Sequence, residues 1–224
     1  MSRDVGGATG ISKLFSRAEP TVSGGQVFGP DESALADSTD AITSLAPEDE
    51  STYARCMRDG ERAFRDRQYV TAFSKFEMAH RIGNDPESLL SMAHAKFAGG
   101  SYSACALYLR QVLRQLPQLP RARLRPRDFY GDRTAYVSDL RRLDEYMASR
   151  PGDAEIALIK AYFAWFDPDR GPMQALQAIA EGLSKPNGPQ ATLALEMFQE
   201  SILAILQESP EPSGVRPAGP RAIP

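Results

Sequence analysis

Hydrophobic residues in the stretch RQYVTAFSKFEMA, residues 67–79, recur with the period of a helix. Spacings of three, four and three separate Tyr69, Ala72, Phe76 and Ala79, which places all four on one helical face. Two of these four residues are alanine, although a larger side chain would bury more apolar area. Small residues at such positions indicate close packing against a second helix.

Signals for helix ends recur along residues 51–208. Asp85-Pro86-Glu87 combines an N-cap, a proline at the first helical position and an acid in the first turn, and Asp153-Ala154-Glu155 begins another helix without the proline. Glycine and proline pairs at 99–100, 151–152 and 188–189 mark turns. Because no run of alternating β-branched residues interrupts this pattern, the sequence predicts an all-α domain of helices joined by short loops.

The four-residue pattern returns at intervals of 33, 34 and 36 residues. The successive copies are Tyr69, Ala72, Phe76 and Ala79; Tyr102, Cys105, Leu109 and Val112; Tyr136, Asp139, Leu143 and Tyr146; and Pro172, Ala175, Ile179 and Gly182. Such a period is typical of helical hairpins that stack into a solenoid, because one hairpin cannot bury its own apolar face.

These positions resemble the tetratricopeptide repeat, whose 34-residue unit carries small or aromatic residues at the same places and a proline near its end. The resemblance covers roughly residues 53–186, with Gly60 as the small residue of a first helix and Pro117 near the end of the second copy. It implies a short right-handed α–α superhelix of about three to four helix pairs.

Two copies depart from the repeat pattern. The first-helix region of the third copy, PRARLRPRDFYGDR, contains Pro126, and Asp139 replaces the small residue of the second helix, so we expect only half a hairpin there. The fourth copy carries the insertion DPDRGP in its turn.

The stretch QATLALEMFQESILAILQES, which follows the last copy, predicts a C-terminal helix. Its apolar stripe, which we expect to cap the open end of the stack, consists of Leu195, Phe198, Ile202, Ile205 and Leu206. An amphipathic helix on a membrane surface is the alternative, and the absence of Lys and Arg between residues 190 and 208 disfavours it.

Composition divides the chain into three parts. Residues 1–50 carry three basic and nine acidic side chains, a net charge of −6, and we expect them to be disordered because they bury too little apolar surface. Residues 209–224 form a proline-rich tail with the same expectation, and residues 51–208 form the repeat domain. No segment resembles a membrane span or a secretory signal, so a cytoplasmic location is expected.

The resemblance implies a concave groove lined by the first helix of each pair. The residues expected to face it are Met57, Glu61, Phe64, Arg65, Leu90, His94, Phe97, Leu158, Tyr162, Trp165 and Phe166. Aromatic side chains beside a few charges suit an extended or helical peptide. The alternative is that these aromatic residues pack between helices. Some members of the family bind a C-terminal carboxylate through Lys, Asn and Arg on first helices, but Asn84 and Asn187 lie at turns here, so that role is not expected.

A second candidate surface is an arginine cluster between residues 110 and 142, where nine arginines stand against three aspartates. Its centre is the basic patch of Arg121, Arg123, Arg125 and Arg127. Guanidinium groups at this density suit a phosphate or an acidic peptide. The alternatives are a solvated loop with local Arg–Asp pairs and a contact with the chain's own acidic N-terminal segment. Binding of nucleic acid is disfavoured, because the chain is acidic overall and shows no surface of interleaved aromatic and basic residues.

No catalytic or cofactor chemistry is indicated. His80 and His94 lie apart from any nucleophile signature, and together with Cys56 and Cys105 they lack the spacing of metal ligands, so neither a metal nor another cofactor is expected. Both cysteines are expected to be core thiols.

The sequence therefore predicts a non-enzymatic adaptor or scaffold that binds a protein or peptide segment in the groove. A small chaperone for a secreted or assembling client is the main alternative, and a subunit that self-associates through its C-terminal helix is a third. The pattern leaves the identity of the partner and the oligomeric state open.

Overall fold

The structure, a computed structural model, describes residues 42–208 and is all-α, as the sequence predicts. Within that range the helices are α1 Thr52–Arg65, α2 Tyr69–Gly83, α3 Pro86–Ala98, α4 Tyr102–Gln115, α5 Arg133–Ala148, α6 Ala154–Phe166, α7 Pro172–Leu183 and α8 Pro189–Glu208. Two short 3-10 turns, Leu119–Arg121 and Pro126–Phe129, lie between α4 and α5. None of these helices combines the length and hydropathy needed to cross a bilayer.

Side-chain caps fix where the helices begin. Asp85 accepts a hydrogen bond from the backbone N–H of Ser88 at 2.9 Å, with Pro86 at the first helical position, and Asp153 accepts from two backbone N–H groups at the start of α6. Ser51 caps α1 in the same way, through the N–H of Ala54. The helix starts predicted at Asp85 and Asp153 are therefore confirmed.

Helices α1 and α2, α3 and α4, and α6 and α7 pack as hairpins around the predicted repeat positions. Ala72, Phe76 and Ala79 of α2 are all buried. A side chain at Gly60 of α1 would meet the Phe76 ring, and one at Gly182 of α7 would meet Ala157 of α6. The small residues of the repeat thus lie where two helices of a pair come closest.

The third unit lacks its first helix. Pro117, Pro120 and Pro126 remove backbone donors and clash with a preceding helical turn, and the chain between α4 and α5 forms only the two 3-10 turns. The second helix of that unit is present as α5. Helix α6 packs directly against α4, so the last hairpin stacks on the second one. The structure therefore confirms that the third unit forms only half a hairpin.

Asp139 stands at a position where the repeat has a small residue, and the missing helix explains why an acid is present there. The loop residue Tyr130 packs beside α5 and donates its hydroxyl hydrogen to Asp139 Oδ2 at 3.1 Å, while Arg142 donates to Oδ1 at 2.8 Å. Burial raises the pKa of Asp139, and the nearby Arg142 guanidinium acts in the opposite direction. Asp139 therefore supplies the acceptor that a buried tyrosine hydroxyl requires.

Helix α8 packs against α4, α6 and α7 at the end of the stack. Its buried residues are Ala191, Ala194, Leu195, Phe198 and Ile202. Three of them belong to the stripe that the sequence predicts, whereas Leu206 is 39% exposed. The helix covers the stack over its first two-thirds and leaves its last turn in solvent.

Ordered contacts begin before the predicted boundary at residue 51. Leu45 is buried, and Ile42 forms an isolated parallel bridge with Leu124. The rest of the predicted disordered segment, residues 1–41, and the tail at residues 209–224 lie outside the described residues.

Gly60→Ala is expected to lower the free energy of unfolding by about 1–3 kcal/mol, because its Cβ would lie 2.4 Å from a ring carbon of Phe76. This loss of stability should appear even though alanine favours the helix over glycine by about 1 kcal/mol. Urea denaturation followed by circular dichroism measures it. Adding Phe76→Leu removes the clash, so the double variant should be more stable than the two single changes predict together. Strict additivity would contradict the proposed clash.

Asp139→Ala is expected to cost about 1–3 kcal/mol of unfolding free energy, because it leaves the Tyr130 hydroxyl buried without its acceptor. Tyr130→Phe removes that hydroxyl, and the combination of Asp139→Ala with Tyr130→Phe should recover part of the loss. Thermal denaturation of the three variants provides the measurement. A double variant that loses as much as the sum of the single changes would argue against this pairing.

Candidate peptide-binding site

The predicted groove residues lie on α1, α3 and α6, and most of them are buried. Six are almost without solvent exposure: Met57, Phe64, Leu90, Phe97, Leu158 and Tyr162. Glu61, His94 and Phe166 are also buried, Trp165 is partly buried, and Arg65 is exposed. The structure therefore brings these residues to one region, where the chain itself covers most of them.

Residues 116–132, here named the covering segment, lie over this region. The Phe129 ring packs 5.2 Å from the His94 ring, and Tyr130 meets Phe64 edge-on at 4.9 Å. At the α6 end, Trp165 donates its indole N–H to the carbonyl of Pro120 at 2.9 Å. The aromatic side chains thus pack within the chain, which is the alternative interpretation given above, and their contact with a partner stays a prediction.

Part of the covering segment is extended, with one face buried and the other in solvent. In the stretch RARLRP, residues 121–126, the alanine, leucine and proline are buried, and the three arginines are exposed. This alternation has the period of a strand. It is the one sequence signal that indicates an extended segment at this place.

Four of the predicted groove residues meet around Leu45, which is 1% exposed. They line a small cavity of about 20 Å³, together with Leu45 itself. Its lining is Leu45, Glu61, Phe64, Arg65, Phe76, Ser91, His94 and Phe129. Leu45, Ser91 and Phe129 carry no signal in the sequence, and Phe76 is expected only as a repeat position, because nothing in the sequence indicates which loop packs on which helix.

The Glu61 carboxylate holds the backbone that carries Leu45. Glu61 Oε1 accepts from the N–H of Leu45 at 2.7 Å and from the N–H of Ala46 at 3.1 Å, and both carboxylate oxygens lie 2.9 Å from the Ser44 hydroxyl. Hydrogen bonds to a charged acceptor are stronger than those between neutral groups. Arg65 lies 3.9 Å from the same carboxylate and balances its charge.

Residues 42–46, here named the N-terminal strap, therefore bind as a short peptide whose backbone turns around the Glu61 carboxylate, with a bend at Ala46 and a hydrogen bond from the Ala46 N–H to the Ser44 hydroxyl at 3.2 Å. Leu45 is the apolar anchor, Glu61 binds the backbone, and the Ile42 N–H donates to the carbonyl of Arg123 at 2.9 Å. Main-chain hydrogen bonds with a pocket for one side chain are a common means of peptide recognition.

His94 lies beneath this site and is neutral. It is buried against Phe129, Tyr162 and Phe163, and its Nε2 lies 2.8 Å from the Tyr162 hydroxyl. Burial lowers the pKa of His94 to about 3. Among the described residues no carboxylate hydrogen-bonds to this ring, so the imidazole serves packing and one hydrogen bond.

Four of the nine arginines in the cluster pair with acids from distant parts of the chain: Arg110, Arg121, Arg127 and Arg133. Arg121 forms a two-bond pair with Glu208 of α8, which raises the pKa of Arg121 and lowers that of Glu208. Arg127 and Arg133 share Asp169, at 3.5 Å and 3.0 Å. The cluster therefore joins the covering segment to α6–α8, although exposed pairs of this kind contribute only about 0–1 kcal/mol each.

A larger open cleft of about 400 Å³ lies between the start of α2 and α5. Arg67, Tyr69, Asp132, Ser138, Asp139 and Arg142 are among its lining residues. Its charged groups already pair, Arg67 with Asp132 and Arg142 with Asp139. The sequence gives no indication of this cleft, since it forms beside the irregular third unit.

Cys56 and Cys105 are both buried and unpaired. Burial raises the pKa of the Cys105 thiol well above its usual range. The expectation of core thiols is confirmed.

Comparison of the chain with protein-family models, with curated proteins and with solved structures finds no match in any of the three. The resemblance to the tetratricopeptide repeat therefore depends on the repeat residues and on the helical hairpins that they form.

His94 is expected to make the fold sensitive to acid. Below pH 6.5 the unfolded chain binds a proton at His94 that the folded chain does not, so stability falls by about 1.4 kcal/mol per pH unit until the pH approaches 3. Urea denaturation at pH 7 and pH 4.5 measures the change. His94→Gln has no proton to bind in this range, so its loss over the same interval should be smaller by about 2–3 kcal/mol. Equal losses in the two proteins would contradict the assignment.

Proposed function

We propose that the chain is a non-enzymatic adaptor of the tetratricopeptide type, which binds a short segment of a partner protein on α1 and α3. The observation that supports this proposal is the way the site around Glu61 holds the N-terminal strap. A surface that binds a five-residue segment of its own chain through backbone hydrogen bonds and one buried side chain has the chemistry to bind a similar segment of another chain.

The elements of the site have complementary tasks. Glu61 binds backbone N–H groups, which every peptide offers, so it contributes affinity with little selectivity. Leu45 is buried and lines one cavity with Phe64, Phe76 and Phe129, so the site accepts an apolar side chain of leucine size, whose burial contributes about 1.5–3 kcal/mol. Phe64 and Phe76 are held in place by helix packing, so these two walls need little reorganisation on binding.

Arg65 is the residue to change in a test of this function, because it lines the site and is exposed. Phe64 and Phe97 are unsuitable, since a charged residue at either position would have to enter the core. Arg62 lies on the same helix, is exposed, and does not line the cavity, which makes Arg62→Glu a matched control.

In a quantitative pull-down from a lysate of the native host, Arg65→Glu is expected to reduce the recovery of one or two proteins at least tenfold, as Glu61 would then lie beside a like charge. Arg62→Glu should leave the same proteins bound. Equal recovery with both variants would place the partner elsewhere on the chain. Recovery of one unstable client in a stable complex would favour the chaperone alternative.

A further inference from the structure

We propose that the N-terminal strap is an exchangeable ligand of the site around Glu61, so that the chain occupies its own binding site until a partner segment replaces residues 42–46. The partner segment is a short peptide that turns at the site, in which a small hydroxyl residue precedes leucine and a small residue follows it. This inference rests on the proposed function and names the ligand class and the regulation of the same site.

The strap buries fewer residues than the covering segment does. Of its five residues only Leu45 is fully buried, and Thr43 and Ser44 are exposed. The covering segment, by contrast, buries residues along its whole length and takes the place of a missing helix. Local opening free energy follows the number of buried contacts, so the strap is the part that can leave without unfolding the stack.

A fixed point lies immediately after the strap. Arg58 of α1 donates from Nη1 to the carbonyl oxygens of Pro47 and Asp49, both at 2.8 Å. Pro47 is buried. The chain is therefore anchored to α1 beyond residue 46, and the strap can swing away from this anchor while α1 stays in place.

The chemistry of the site defines the segment that can replace the strap. Glu61 needs two successive backbone N–H groups and a hydroxyl, which Leu45, Ala46 and Ser44 supply. The pocket needs a leucine-sized side chain. Proline cannot follow that leucine, because the N–H at the position of Ala46 is bonded.

While the strap occupies the site around Glu61, a peptide from another chain binds there with lower apparent affinity. A segment tethered by a short linker has an effective concentration in the millimolar range, so a free peptide of the same sequence competes poorly against it. The apparent Kd of a trans peptide equals its intrinsic Kd divided by the fraction of molecules whose strap is open.

The test uses the full chain and a fluorescein-labelled peptide of residues 39–50, TDAITSLAPEDE. Leu45→Asp in the protein disables the strap but leaves Glu61 and the pocket intact. Fluorescence anisotropy should show that this variant binds the peptide at least tenfold more tightly than the wild type does. Two controls should each bind at least tenfold more weakly than the unaltered peptide binds to Leu45→Asp. The first is the same variant with a peptide that carries aspartate in place of leucine. The second is the unaltered peptide with a protein that carries both Leu45→Asp and Glu61→Gln.

Equal affinity of the wild type and Leu45→Asp for the peptide, with circular dichroism showing both to be helical, would overturn the proposal. Amide hydrogen exchange of the wild type gives a measurement that needs no variant. The N–H groups of Leu45 and Ala46 should exchange at least tenfold faster when the unlabelled peptide is in excess, and unchanged protection would overturn the proposal. A wild-type dimer that Leu45→Asp abolishes would also overturn it, because the strap of a second copy would then be the occupant.

The two proposals can fail separately. Tight peptide binding by Leu45→Asp, without any partner sensitive to Arg65→Glu, would support the exchangeable strap and contradict the adaptor. Loss of a partner in Arg65→Glu, without peptide binding by Leu45→Asp, would support the adaptor and contradict the exchangeable strap.

Discussion

A helical hairpin cannot bury its own apolar face, and this constraint shapes the whole molecule. Each hairpin needs a neighbour, but the third unit has lost the helix that would serve as one. Helix α6 therefore packs on α4, and residues 116–132 cover the aromatic side chains that α1, α3 and α6 present. The chain uses its own irregular segments to cover a surface that a regular repeat would leave open.

The buried polar groups follow from the same substitution of loop for helix. A helix satisfies its own backbone, whereas a loop brings side chains such as Tyr130 into the interior with hydroxyl groups that need acceptors. Asp139 accepts a hydrogen bond from the Tyr130 hydroxyl, and Asp167 Oδ2 accepts one from the Tyr136 hydroxyl at 2.9 Å. Burial makes these acids costly, and Arg142 beside Asp139 offsets part of that cost for Asp139. Glu61 is a third buried acid, and its donors come from a segment that touches the fold at few points.

Sequence patterns predicted the helices well because their signals are local. The caps at Asp85 and Asp153, the period of the repeat and the proline at position 126 each act within a few residues. The site depends instead on contacts between distant segments. That Leu45 would enter a pocket beside Phe129, or that Asp169 would pair with Arg133, follows from how the third unit collapses, and no periodicity encodes it. The alternation in RARLRP was the nearest available signal.

The direct contact between α4 and α6 has a consequence for the order of folding. Neighbouring hairpins of a regular solenoid meet through short connections, so their association costs little chain entropy. Here residues 116–153, which include helix α5, separate α4 from α6, and the ends of this long connection must meet before α6 can dock on α4. Helices α1–α4 form a local unit with contacts close in sequence, whereas we expect the last hairpin to join in a later step that costs more chain entropy. Because the ribosome synthesises the chain from its N-terminus, α4 is complete before α6, and the apolar face of α4 has no helix packed on it during that interval.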